Sequence, residues 1–385
     1  MMLREIYFDH ASTSYPKPPH VLQEISYYLT EIGVSPGRSS YKRAIAAEEV
    51  IFNTRKLLAA LLKAQYPHQI IFTLNATHAL NIIIKGTLSH GDHVIITNYE
   101  HNAVVRPLES LKHKRAISYD IVESDILGNF NMDDFTKKIQ KNTKLIIANH
   151  GSNVLGSTAP IELIGNVAKE HNVLFAVDGS QTTGLLDIDV NKCNIDFFAF
   201  TGHKSLLGPS GTGGFYIKKS DHVATLYEGG TGSNSISLIH PESLPTKFEA
   251  GTINYMGIAG LLGSLQYLSV NGIDALCKTK INITNYCLSR LLLIPEIIIY
   301  GAITEKLLPI ISFNVKNILP QEISYRLDKE YNIMTRSGLQ CAPLIHATLQ
   351  TFPHGTVRVS FGYQNSYEQV DCFIYALKKI IYQHL

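Results

Sequence analysis

Several residues of this chain combine a reactive side chain with a position that would hold it still. Lys204 lies in TGHKSLLGPSGTGG, directly after the apolar run DFFAF and ahead of a Gly-rich stretch. An amine fixed there and partly desolvated keeps a neutral fraction near pH 7, as nucleophilic lysine chemistry requires. Asp178 closes the run VLFAV and leads into Gly179-Ser180-Gln181. His101 follows HVIIT in NYEHNAV, Thr77 and His78 follow QIIFT, and Asn153 follows KLIIAN. Arg358 in TVRVS and Arg336 in RSGLQCAP supply planar guanidinium groups suited to a carboxylate. Cys341 shares the second segment, in a short loop closed by Pro343. In open α/β sheets, ligands sit beyond the carboxyl ends of the strands, so these polar run ends converge on one edge.

Short β-branched runs predict strands over 69–73, 93–97, 118–122, 144–149, 173–178, 196–201 and 214–217. Helical patterns lie between them, among them 44–62 and 160–171. That alternation predicts an α/β domain with a mainly parallel sheet. GGTGSNSISLIHPESLP, ending at Pro245, reads as an exposed loop. One long helical pattern then spans 257–291. Strands over 310–315 and 356–360 and a closing helix over 367–382 predict a second, smaller α+β unit.

Composition bounds the function classes. The chain has 385 residues, 45% hydrophobic and 17% charged, which supplies an ample core and excludes wholesale disorder. Two domains are expected at this length. Lys plus Arg number 34 against 32 Asp plus Glu, so no electrostatic attachment to nucleic acid or to a membrane surface is expected. Five scattered cysteines without a CxxC pair argue for free thiols in a reducing, cytoplasmic setting. MMLREIYFDHAST reads as mature protein, and the most apolar stretch, LLLIPEIIIYGAI, is broken by Pro295 and Glu296. Neither a signal peptide nor a membrane span is expected.

Together the motifs resemble the class V aminotransferase family of pyridoxal-phosphate enzymes, and within it the SufS-like (group II) cysteine desulfurases. The resemblance runs from YFDHAST to TVRVSFGYQN. It implies the fold-type I architecture. A large domain, 17–265, would hold a mostly parallel seven-stranded sheet. A small α+β domain, 1–16 with 266–385, would carry the cysteine loop and the carboxylate-binding arginine. Pyridoxal 5'-phosphate is the implied cofactor. Lys204 would be its Schiff-base lysine and the base at the substrate Cα. Asp178 would pair with the pyridine nitrogen, Gln181 and Asn153 would lie near the phenolic oxygen, and His101 would stack on the ring. Thr77, Thr201 and His203 match the phosphate ligands. Thr252, in FEAGTIN, matches a residue reaching the phosphate from a partner subunit, which implies a homodimer. Arg358 matches the clamp on the α-carboxylate of L-cysteine, with Arg336 and Asn153 shaping that pocket.

Cys341 separates the subclasses. In the desulfurases this thiolate attacks the sulfur of bound cysteine, releasing L-alanine and retaining a persulfide. The compact loop implies that a sulfur-acceptor protein must come to it, as in iron–sulfur cluster assembly. Two departures stand out. Ala76 occupies a position where the family usually has the first of two hydroxyl residues, and Gln340 precedes Cys341 where a histidine is common. His346 is a candidate either for a substitute acid or for a structural residue. Cys193, Cys277, Cys287 and Cys372 read as structural. Selenocysteine lyase, a class V aminotransferase indifferent to Cys341, and a non-catalytic scaffold are the alternatives.

Overall fold

A computed structural model describes residues 5–37, 40–233, 235–304 and 308–384. The first four residues of the expected segment 1–16, Asn234 of the expected loop and Leu385 lie outside them. In chain order the first elements are β1 (Ile6–Tyr7), α1 (Pro19–Tyr27), α2 (Lys42–Leu61), β2 (Ile70–Thr73), α3 (Ala76–Thr87), β3 (His93–Thr97), α4 (Asn102–Arg115) and β4 (Ser118–Val122). There follow α5 (Met132–Lys138), β5 (Thr143–Asn149), α6 (Ile161–Glu170), β6 (Leu174–Asp178), β7 (Phe197–Thr201), β8 (Gly213–Ile217) and α7 (Tyr255–Asn271). The remainder comprises α8 (Ile273–Leu291), β9 (Ile297–Tyr300), β10 (Ile310–Val315), α9 (Pro320–Tyr331), β11 (Ile333–Met334), β12 (Arg336–Gly338), α10 (Pro343–Thr348), β13 (Thr356–Ser360) and α11 (Tyr367–His384).

Seven strands form one sheet in the order β2-β8-β7-β6-β5-β3-β4. Strands β4, β3, β5, β6 and β7 pair in parallel, and β8 runs antiparallel between β7 and β2. Successive strand side chains point to opposite faces, so apolar runs such as LIIA bury both. Ile95, Ile146, Phe175 and Phe198 pack with Leu58, Ile164 and Leu261 on one face. Val94, Leu145, Ile147 and Phe197 pack with Leu80 and Leu108 on the other.

A second, antiparallel sheet has the order β12-β13-β10-β9. Its face residues Ile311, Phe313, Val357 and Val359 pack with Cys287, Leu327, Phe373 and Ile380. The N-terminal strand joins this region: β1 pairs in parallel with β11, and Phe8 enters the same core.

The expected single helix over 257–291 is two helices, α7 and α8. Gly272, at φ 75°, separates them. The apolar pattern alone hides that break, because apolar residues on both sides of it, Leu268, Ile273 and Leu276, pack on the same core. The left-handed conformation of the glycine makes the break sterically free. The two helices then serve different layers: α7 packs on α1 and α2, whereas α8 packs on α11. The described part of 229–245 has neither helix nor strand, and Ile236 and Leu238 are 98% and 102% exposed.

Candidate active site

Parallel pairing brings the carboxyl ends of β3, β5, β6 and β7 to one edge, and a cavity of about 310 Å³ opens there. His101, Asn149, Asn153, Asp178, Ser180, Gln181, Thr201, His203 and Lys204 line it from that edge. Asn75, Ala76 and Thr77 join at the start of α3. Arg336, Gln340, Cys341 and Arg358 close it from the second sheet and its loop, with Ala11 and Ser12 from the N-terminal segment. Every expected site residue except Thr252 lies in this cavity. Thr252 lines a separate hollow of about 190 Å³ with Phe72, His78 and Tyr227.

Lys204 makes no hydrogen bond through Nζ to any described residue. Burial pushes its amine down to about 8; Arg358 and Arg336 act in the same direction, and Asp178 and Cys341 oppose them. The neutral amine that the sequence argument required is therefore accessible near neutrality. Asp178 Oδ1 accepts hydrogen bonds from the Ser180 N–H at 2.9 Å and the Ser180 hydroxyl at 2.5 Å. His101 caps α4: its Nδ1 accepts from the Ala103 N–H at 3.0 Å, so Nε2 carries the proton. Burial, reinforced by the charge of Lys204, lowers the imidazole to about 4, and His101 is neutral at pH 7.

Arg358, 1% exposed, sits on β13 directly across from Arg336 on β12. Its Nη2 donates to Asp9 Oδ1 at 2.7 Å and to Ser12 Oγ at 2.9 Å, and its Nη1 donates to the Asn153 carbonyl at 3.1 Å. Ser12 Oγ also accepts from Arg336 Nη1 at 2.8 Å. Arg336 Nη2 donates to Cys341 Sγ at 3.7 Å. The two guanidinium groups thus share one hydroxyl, and one of them reaches the thiol.

The cysteine loop is held from behind. Gln340 and Cys341 both have left-handed backbone, at φ 44° and 60°. Non-glycine residues there cost about 1–3 kcal/mol each, so the surroundings must impose the conformation. Asn153 Nδ2 donates to the Gln340 carbonyl at 2.7 Å, and the Asn102 N–H donates to the Cys341 carbonyl at 2.8 Å. Gln340 Nε2 donates to the Thr356 carbonyl at 2.9 Å, while its Oε1 accepts from His346 Nε2 at 3.0 Å. The other imidazole nitrogen, His346 Nδ1, accepts from the Thr351 hydroxyl at 2.7 Å. His346 is wholly buried, absent from the cavity wall, and lowered to about 4 by burial. Of its two expected roles, it therefore fills the structural one. It braces Gln340, and Gln340 braces the loop.

Four polar atoms of residues in the cavity wall are buried without a hydrogen-bond partner among the described residues: Thr201 Oγ1, His203 Nδ1, Asn153 Oδ1 and Arg358 Nε. Burying such groups unpaired costs free energy, so they mark a site shaped for a ligand. A hydroxyl, an imidazole nitrogen and a helix start suit a phosphate. A carboxylate and a lysine amine suit a pyridine nitrogen and an aldehyde. These residues fit pyridoxal phosphate. The Ala76 departure stands, because Ala76 brings no hydroxyl to this wall; beside it, Asn75 Oδ1 caps α3 by accepting from the His78 N–H at 2.9 Å.

Asp9, Ser12 and Glu100 were not singled out from the sequence. Asp9 and Ser12 stand in YFDHAST, but nothing local shows that they meet Arg358. Glu100 is buried behind Asn149; its Oε1 accepts from the Thr97 hydroxyl and the Asn149 N–H, both at 2.7 Å. Burial pushes its carboxyl up to about 8. Among the other cysteines, Cys193 and Cys287 are buried, Cys277 is half-buried, and Cys372 is exposed on α11, so packing does not account for Cys372.

Comparison with known proteins gives a consistent picture. The family model "Aminotransferase class-V" matches residues 6–373. A probable cysteine desulfurase of Pyrococcus abyssi is 34% identical, covering 98% of this chain and 94% of the relative. One from Methanothermobacter thermautotrophicus is 32% identical, covering 98% and 96%. The apo structure of the cysteine desulfurase from Thermococcus onnurineus NA1 superposes with a TM-score of 0.90 at 31% identity, covering 98% of this chain and 95% of that one.

Proposed function

The chain belongs to the class V aminotransferase family, and from that premise we propose that it is a pyridoxal-phosphate-dependent cysteine desulfurase. It converts L-cysteine to L-alanine and keeps the sulfur on Cys341 as a persulfide. One observation carries the reading: Lys204 and Cys341 face one cavity, with Arg336 reaching the thiol at 3.7 Å. An enzyme that only moved amino groups would have no use for that thiol.

Lys204, Asp178, Gln181, His101, Thr77, Thr201 and His203 would hold the cofactor, and Arg358, Arg336 and Asn153 the substrate. Pyridoxal phosphate, when bound, supplies an electron sink for bond changes at the substrate's α and β carbons. Arg358 holds the substrate α-carboxylate through guanidinium N–H groups left over from Asp9 and Ser12. Lys204 Nζ, neutral near its lowered pKa, takes the Cα proton. The Cys341 thiolate attacks the substrate sulfur. An S–S bond forms as the Cβ–S bond breaks, and its electron pair stays with the carbon skeleton, which gains a proton to give alanine. His101, neutral and donating only through Nε2, orients without adding charge.

The compact, braced loop supports the SufS-like group, with a sulfur-acceptor protein that comes to Cys341. The placement of Thr252 outside the cavity, and the exposed apolar side chains of Ile236 and Leu238, support a homodimer in which a second copy completes the site. The two sheets with separate cores support a division into two domains; the expected boundary at 265 falls within α7, however, whose Leu268 packs in the large-sheet core, so the break between 17–265 and 266–385 moves to the end of α7. Cysteines that remain free thiols support a cytoplasmic location. No described helix is long and apolar enough to cross a membrane.

The test is alanine and sulfide release from L-cysteine by cofactor-loaded protein with reductant, beside Cys341→Ala. Equal amounts of alanine and sulfide, both lost in the variant, are expected. Undiminished alanine from Cys341→Ala would sink the assignment.

A further inference from the structure

Cys341 is a wall shared by two spaces. Inward it faces the cavity with Lys204. Outward it borders a second hollow of about 380 Å³, which runs along α3 from Thr77 to Lys85 and along the first part of α4 to Ser110. Thr77, His101 and Ala103 are shared by both, so the thiol stands in the partition. The outer hollow has a distinct chemistry. Lys85 and Arg106 supply two cations, and Asn81, Asn102 and Ser110 supply polar groups. No carboxylate lines it, and among the described residues neither Lys85 nor Arg106 forms an ion pair. Arg106 is exposed, and its charge reaches the partition itself, where it helps to lower the His101 imidazole.

We propose that this outer hollow also binds a small thiol bearing carboxylate groups, which accepts the sulfur from Cys341 as an alternative to the acceptor protein. The proposal rests on the desulfurase reading for the origin of the persulfide, and it adds the acceptor's chemistry. A volume of this size suits a small molecule. Unpaired cations around a nucleophile's exit select an anionic partner and raise its encounter rate. The transfer balances without another reactant. The acceptor thiolate attacks the terminal sulfur of the Cys341 persulfide, and a new S–S bond forms. The old S–S bond breaks, and Cys341 leaves as a thiolate that takes up the proton given up by the acceptor. The acceptor departs as a persulfide.

The experiment separates the two readings. Cys341 is loaded with persulfide from sodium polysulfide, so transfer can be followed even if L-cysteine yields no alanine. Loss of persulfide from the Cys341 peptide is then timed by mass spectrometry. Three probes are used: mercaptosuccinate (anionic), 2-mercaptoethanol (neutral) and cysteamine (cationic). Each thiol is compared between wild type and Lys85→Glu/Arg106→Glu, so that differences in intrinsic nucleophilicity cancel. A drop of about tenfold is expected for mercaptosuccinate, little change for 2-mercaptoethanol and a gain for cysteamine. Should the double variant not fold, wild-type transfer to mercaptosuccinate, and not to 2-mercaptoethanol, should slow as salt is raised. The same factor for all three thiols, or the same salt response, overturns the proposal. Alanine formed from L-cysteine before any thiol is added tests the desulfurase reading separately.

Discussion

The cavity has two walls built on different principles. The wall of Lys204, Asp178 and His101 is made by strand ends, and parallel register alone brings them together. The wall of Cys341 is made by a loop whose backbone is twice left-handed and whose shape depends on buried side chains. A register is shared by every residue of a sheet, so one substitution rarely shifts it. A braced loop concentrates its support in a few hydrogen bonds, and losing one exposes the whole segment. The first wall should therefore fail only through its reactive groups, and the second through groups that never touch substrate.

The sharpest way to separate the walls is to follow exchange of the Cα hydrogen of L-alanine with solvent deuterium. Lys204→Ala should lose this exchange by roughly a thousandfold or more. Cys341→Ala should retain it while losing sulfur removal. Exchange lost in both variants would mean that the walls do not act independently.

A smaller effect is expected from the brace. In His346→Ala, Gln340 Oε1 and the Thr351 hydroxyl lose a buried partner, at a cost of about 1–3 kcal/mol in stability. Alanine formation from L-cysteine should fall about tenfold, with Cα exchange near the wild-type rate. Equal losses in both assays would show that His346 supports the fold at large and not the loop in particular.

The smallest effect tests the strand-end wall through pH. The Glu100 carboxyl is raised from an ordinary 4.5 to about 8 in the folded protein. A raised pKa means that the folded state holds the proton more tightly. The associated stability is complete below about 4.5, declines as pH rises, and is gone once pH passes about 8. Glu100→Gln should flatten that decline, seen as a narrowing by a few degrees of the Tm difference between pH 5 and pH 8. An unchanged difference would show that Glu100 is ionised when folded.

The same contrast governs what could be read from the sequence. Strand ends announce themselves, because an apolar run followed by a polar cluster is a local pattern. The strands over 93–97 and 118–122 match β3 and β4 residue for residue, and Lys204, Asp178, His101, Thr201 and Asn153 line the cavity as expected. The helix break at Gly272 was hidden because apolar residues continue across it, from Leu268 to Ile273 and Leu276. Asp9 and Ser12 were hidden because their significance lies in partners at the other end of the chain. The role of His346 was left open because imidazoles that brace and imidazoles that react look alike until burial and partners are known. The Gln340 departure looked like a loss in sequence. In three dimensions it is a buried amide whose donor and acceptor both have partners.

The ion pair between Asp9 and Arg358 joins residues 349 positions apart. Its consequence lies in the order of synthesis. Asp9 and Ser12 are made long before Arg358, so the proposed substrate clamp cannot form until residue 358 has been added. By the time β8 is complete, a growing chain already holds all seven strands of the large sheet, with Lys204, Asp178 and His101. It lacks the thiol until residue 341 and the clamp until residue 358. On the proposed reading, competence to handle cysteine arrives only once residue 358 has been added, and a chain abandoned before residue 341 carries the strand-end wall with no thiol to take up sulfur.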